Sequence, residues 1–194
     1  MSDTIVNVEG LNVSFGSAHV LKDVSLSVDR SRTVGVVGES GSGKSTLAKA
    51  MVGLVRPSSG QVWVDGIDVA TASRRELAAY RRRVQMIPQD PFSSLSPRQT
   101  VGQALAEAVD PRRARVGRHR DLIAHWLEQV GLPADAMHRY PYEFSGGQRQ
   151  RVAIARGLVI EPSLVIADEI TSRSTCPSRP RSSSSSRRSS SRSA

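Results

Sequence analysis

Apolar and polar residues alternate through the first third of the chain in short runs: TIVNVEGLNVSF at 4–15, VLKDVSLSV at 20–28 and QVWVDG at 61–66. A period of two turns one face toward a core and the other toward water, so these runs predict strands of a small, largely antiparallel sheet. TVGVVG at 33–38 has no such alternation and predicts a buried parallel strand. The period then lengthens. KSTLAKAMVGL at 44–54 places apolar residues three and four apart and stops at Gly53 and Pro57, a helix with its terminator. RVQMIPQ at 83–89 predicts a strand ended by Pro88. TVGQALAEAV, RDLIAHWLEQVGL and GGQRQRVAIARGLVI predict a mainly helical block between about 100 and 160, and SLVIADE at 163–169 predicts another buried strand with acids at its carboxyl end. Strands, an inserted helical block and a return to a strand predict an α/β core carrying a helical subdomain.

Composition refines this only a little. At 194 residues and 38% apolar content the chain can bury one sizeable core or two small ones. The net charge of +9 points toward an anionic partner until its placement is considered. Residues 173–194 hold six arginines and no acid, leaving +3 for everything before them, so no nucleic-acid partner is expected of the globular part. No run approaches the roughly 20 apolar residues that span a bilayer. MSDTIVNVEG lacks the layout of a signal peptide, and the single Cys176 excludes an internal disulfide framework. A cytoplasmic location is the expectation.

Candidate chemistry lies in three motifs. GESGSGKST at 38–46 fits the pattern of a glycine, four residues, a glycine, a lysine and a hydroxyl residue. Gly38, Gly41 and Gly43 let backbone N–H groups turn inward around phosphate oxygens, with Glu39, Ser40, Ser42 and Thr46 contributing backbone to the same loop. The helix that follows presents its positive end to the same anion. Lys44 is placed to reach terminal phosphates, and the Ser45 hydroxyl to ligate magnesium. In LVIADE, a strand delivers Asp168 toward that magnesium, and Glu169 is positioned to accept a proton from an attacking water. In FSGGQRQR, Ser145, Gly146 and Gly147 open a helix with a hydroxyl and bare backbone donors, a second phosphate-binding terminus. A cap accounts for Ser145 but requires neither glycine.

With these motifs in this order and spacing, the chain resembles the nucleotide-binding subunits of ABC transporters over residues 1 to about 172. QDPFSSLSPRQTVGQ and YPYEFSGGQRQRVAIARGL are most similar to the branch that imports oligopeptides, dipeptides and nickel. The resemblance implies a RecA-like P-loop NTPase core, an N-terminal antiparallel subdomain and a helical subdomain at about 92–158. ATP and Mg2+ would be the cofactors, and membrane permease subunits and a second ATP-binding subunit the partners. The resemblance also implies that Phe15 stacks on adenine, although by pattern alone it is a core phenylalanine. Gln89 matches the loop glutamine that contacts magnesium and senses the permease. Ser145, Gly146, Gly147 and Gln148 form the signature that meets the partner's ATP. The implied site is the cytoplasmic face of the membrane.

After the magnesium strand this family usually continues close to PTSALDVSVQAQIL, whereas the chain reads ITSRSTCPSRPRS. Coding ALDVSVQA as GCG CTC GAC GTG TCC GTC CAG GCC and deleting the first base yields Arg-Ser-Thr-Cys-Pro-Ser-Arg-Pro, which is Arg173 to Pro180 as it stands. A one-base deletion therefore accounts for the phrase, though not for Ile170. A functional Arg/Ser tail for RNA or acidic partners and a naturally shortened subunit are the alternatives. Under the deletion, the family's later core strands and its switch histidine are missing. A defective fragment with ATP-binding character and little turnover is then expected, alongside a non-catalytic remnant. The tail's composition predicts disorder.

Overall fold

The computed structural model of the protein describes residues 3–88 and 94–168. Two strands open it, β1 (Thr4–Phe15) and β2 (Ala18–Asp29), joined by a tight turn at Gly16 and Ser17. Helix α1 (Lys44–Met51) is followed by β3 (Ser59–Val64) and the short β4 (Ile67–Asp68). The four strands form one antiparallel sheet in the order β2-β1-β3-β4. Alternation does what the sequence predicts: Val6, Val8, Val62 and Val64 are buried, while Asn7 and Trp63, between them and opposite each other, face outward.

Helix α2 (Arg74–Arg83) was not among the predicted elements. Its start is a reciprocal cap: the Glu76 N–H donates to Ser73 Oγ, and the Ser73 N–H to the Glu76 carboxylate. Three arginines in its last turn complement the negative end of the helix dipole. Only Tyr80 is fully buried along it, and its hydroxyl donates to the Met51 carbonyl. Burial also pushes the Tyr80 phenol well above its ordinary pKa.

The helical block follows: α3 (Val101–Val109), α4 (Arg120–Gln129) and α5 (Gly146–Leu158), with one-turn 3-10 segments at Val116–His119, Ala134–His138 and Pro141–Glu143. Its apolar faces make their own core around Val101, Leu105, Ile123, Leu127, Phe144 and Val152. The other core joins the antiparallel sheet to α1, Tyr80 and Val84. Each side chain fully buried there contributes roughly 1.5–3 kcal/mol, so both clusters are substantial. Strand β5 (Val84–Ile87) and β6 (Leu164–Ala167) pair in parallel with Val84 opposite Leu164. No helix among the described residues is long and apolar enough to cross a membrane.

The buried parallel strand expected at 33–38 does not form. Residues 32–39 have no regular structure, Val37 is 96% exposed, and Val34 and Val36 are about half exposed. An apolar run becomes a strand only where a neighbour takes its N–H and C=O groups. Among the described residues the parallel sheet has only β5 and β6, paired with each other, and neither reaches this run.

Asp65 ties the end of β2, the end of α2 and the approach to β6 together. It lies in the β3–β4 turn with φ 49° and receives Arg30 at 2.6 Å and Arg83 at 3.0 Å. Ser163 Oγ, just before β6, is 3.2 Å from the carboxylate and 3.1 Å from the Arg83 carbonyl, its one proton serving either. Burial alone would raise the Asp65 pKa; the hydrogen bond from Arg30 and the charges beside it outweigh burial and hold it below the usual carboxylate value.

Candidate functional site

The phosphate-type loop runs from Gly38 into α1. Gly43 caps that helix in the left-handed region, φ 94°, with no side-chain cap and no acid in the first turn. Its glycine is required twice over. A side chain would be strained at that φ, and a Cβ would stand 2.6 Å from Leu21 Cδ2 and 3.3 Å from the Val20 carbonyl. β2 is thus pressed against the loop, and the first N–H groups of α1 are left for an outside acceptor.

Lys44 Nζ donates to the Gly38 carbonyl at 2.8 Å and the Glu39 carbonyl at 2.6 Å, and stands 3.4 Å from Ser42 Oγ. These contacts hold its ammonium across the mouth of the loop. A cavity of about 250 Å³ opens there, lined by Val20, Ser40, Gly41, Gly43, Lys44, Ser45 and Thr46. Val20 is a residue the sequence reading missed. A valine in a strand carries no signal of its own, and only the approach of β2 to the loop places it there.

The second motif meets the first. Asp168 follows β6, its backbone N–H bonded to the Ile87 carbonyl at 3.0 Å, and its Oδ1 accepts from Ser45 Oγ at 3.0 Å. Residues 123 apart in sequence are thereby joined at the entrance of α1. A hydroxyl and a carboxylate oxygen are hard donors suited to Mg2+. Among the described residues no group of three or more metal-ligating His, Cys, Asp or Glu side chains forms, so magnesium here would draw its other ligands from phosphate and water. The donor set fits that ion.

Phe15 is not a core residue, contrary to what its pattern suggested. It ends β1 opposite Ala18 and is 52% exposed, on the same hairpin that sends Val20 into the cavity. Gln89 and Glu169 lie outside the described residues.

The third motif stands apart, on the helical block. Ser145 and Gln148 cap α5 reciprocally: the Gln148 N–H donates to Ser145 Oγ at 3.3 Å, and the Ser145 N–H to Gln148 Oε1 at 3.0 Å. A Cβ on Gly146 or Gly147 would meet nothing within 4 Å. Packing among the described residues demands neither glycine, and the space beside both is open. α5 packs on β5, α3 and α4, whereas α1 packs on β2 and β3.

Known proteins match this arrangement. A family model for ABC transporters covers residues 21–172. A putative peptide import ATP-binding protein of Brucella ovis is 45% identical over 179 residues, spanning 87% of this chain and 55% of the relative. The oligopeptide transport ATP-binding protein OppF of Bacillus subtilis is 40% identical over 176 residues, spanning 87% and 58%. Among solved structures, a dimeric ATP-binding cassette in a post-hydrolysis state with ADP and Pi has a TM-score of 0.75 at 29% identity, covering 86% of this chain and 74% of that one. The structure of cbiO1 from Clostridium perfringens, part of the transporter complex cbiONQ, has a TM-score of 0.74 at 29% identity, covering 86% and 66%. The chain spans about half the length of the curated relatives it matches.

Proposed function

This chain belongs to the ABC transporter family, and from that premise we propose that it binds Mg–ATP as the ATP-binding part of an importer, with peptides as the cargo class. The observation that carries the proposal is the 3.0 Å bond from Ser45 to Asp168, which closes the loop with the acid a phosphate-bound magnesium needs. The phosphates lie along the loop against α1, Lys44 meets the terminal ones, and adenine stacks on the exposed face of Phe15. Ser45 and Asp168 would hold magnesium, and the family resemblance adds Gln89. The ion, when bound, neutralises phosphate charge.

Two subunits face each other, so that Ser145, Gly146, Gly147 and Gln148 of one reach the ATP of the other. The open space around both glycines supports this, because it leaves room for a phosphate to approach the start of α5. In a full-length subunit, a water oxygen would attack the γ-phosphorus and give its proton to Glu169, and the bond to the β-phosphate oxygen would break to release ADP; this chain, read as a fragment, is expected to turn over little. Closure and reopening of the pair act on permease subunits at the cytoplasmic face of the membrane. The imported class rests on relatives named for peptide import.

One observation favours a narrower second reading. The unpaired run 33–38, directly before the loop, supports a nucleotide-binding remnant that turns ATP over slowly or not at all. Titrating the chain with ATP in the presence and absence of Mg2+ tests the proposal. Magnesium is expected to tighten binding in the parent chain and to do so far less in Asp168→Asn and Ser45→Ala. An unchanged magnesium effect in both variants would overturn the assignment of the site.

A further inference from the structure

Strand β2 reaches the phosphate-type loop through two irregularities in its pairing with β1. Val13 pairs with Leu21 and Ser14 with His19, which leaves Val20 between them without a partner on β1. From the Leu11–Val24 pair to the Val13–Leu21 pair, β1 advances two residues where β2 advances three, and Asp23 turns there into the left-handed region with φ 50°. Bulges of this kind bend a strand and re-aim its side chains. The re-aimed part is the one that meets the loop: Val20 lines the cavity, and Leu21 and the Val20 carbonyl close against Gly43.

A bulge takes backbone groups out of the ladder, and one side chain receives such a group here. Asn12, half-buried on β1, accepts from the Asp23 N–H at 3.1 Å, and the same Oδ1 lies 3.0 Å from His19 Nε2. An amide oxygen only accepts and has room for two donors, so His19 carries a proton on Nε2 and the oxygen is fully used. Asn12 Nδ2 donates to the Gly10 carbonyl at 2.8 Å. The other edge of β1 is pinned as well. The Asn12 carbonyl accepts from the Ser58 N–H at 2.8 Å, and Ser58 Oγ accepts from the Ser14 N–H at 3.1 Å. A single amide therefore grips β2 on both sides of Val20 and Leu21, from a base tied to the approach to β3.

We infer that Asn12 is a positioning residue of the nucleotide site: its side chain holds both bulges of β2, so that Val20 forms a wall of the cavity on the hairpin that carries Phe15. The inference rests on the nucleotide reading proposed above. Asn12 does not line the cavity and acts through Val20. The phosphate end is held separately, by the bonds from Lys44 to the Gly38 and Glu39 carbonyls. Loosening β2 is thus felt by the nucleoside and hardly by the phosphates.

The test compares Mg–ATP with Mg–tripolyphosphate, which carries phosphates without a nucleoside, in equilibrium titrations of the 194-residue chain. Asn12→Ala is expected to weaken ATP binding about tenfold and tripolyphosphate binding less than about twofold. His19→Ala removes one of the two donors at an exposed position and is expected to weaken ATP about threefold, with the same split. Asn7→Ala, on the same strand but bonded to Glu9 Oε1 at 2.7 Å, changes neither. Circular dichroism checks the fold of each variant, and His19→Ala carries the test if Asn12→Ala does not fold. Hydrogen exchange of the free chain supplies a second reading: the amides of Val20 and Leu21 exchange faster in Asn12→Ala, while those of Val6 and Val8 do not. Equal weakening of both ligands, undiminished ATP affinity in the Asn12 and His19 variants, or unchanged exchange at Val20 and Leu21 would overturn the inference. A parent chain that binds no ATP, with exchange at Val20 and Leu21 still rising in Asn12→Ala, counts against the proposed function and not against the grip of Asn12 on β2.

Discussion

Asp65 shows how a single residue can carry an architecture. Its φ of 49° suits aspartate or asparagine in a tight turn, and its partly buried carboxylate receives two guanidinium groups from different elements. Asp65→Asn keeps the turn and the shape but removes the charge that Arg30 and Arg83 surround. A loss of about 1–3 kcal/mol of stability at neutral pH is expected, by analogy with hydrogen bonds to charged groups. The folded pKa is lowered, so the charge stabilises above the unfolded carboxylate value. That contribution is lost as pH falls through the folded one. Denaturant unfolding of both proteins should therefore converge in acid and diverge at neutral pH; a gap that widens as pH falls would contradict this origin. Asp65 and Gly66 spell a hairpin turn in the sequence, but nothing there marks the ion pairs, because Arg30, Arg83 and Ser163 are brought to Asp65 only by folding. The loop residues were legible for the opposite reason, since Gly38 to Thr46 must be contiguous to wrap a phosphate.

Elements divide along the same line. β1, α3, α4 and α5 follow from local periodicity, and their faces are buried where that periodicity puts them. α2 escaped because arginines crowd its apolar positions, although Ser73 and Glu76 spell its cap in the sequence. The run 33–38 was overread, since apolar character is local and strand pairing is not. A direct consequence is measurable by hydrogen exchange. Amides of Val34, Val36 and Val37 should exchange close to unprotected rates, while those of Val6 and Val64 in the antiparallel sheet stay protected. Protection at 34–37 equal to that of β1 would mean that the run is paired after all.

For the whole molecule, the match to the family model ends at residue 172, and the chain spans about half the length of the curated relatives it matches. The phrase from Arg173 to Pro180 is reproduced by one missing base in a plausible coding of the family's sequence. Inserting a base near the Ser172 codon should open a frame that continues with an Ala-Leu-Asp phrase toward a later strand. A stop codon within a few residues would remove the deletion from consideration. In a frame restored this way, residues 33–38 should gain a neighbour and the protection they lack here. The account as a whole depends on nucleotide binding at Gly38 to Thr46, and equilibrium titration of the 194-residue chain with Mg–ATP, beside its Lys44→Ala variant, tests that most directly. Saturable binding in the parent and affinity weaker by about tenfold to a hundredfold in the variant, at unchanged circular dichroism, is the predicted result. Equal affinity in the two proteins would contradict it.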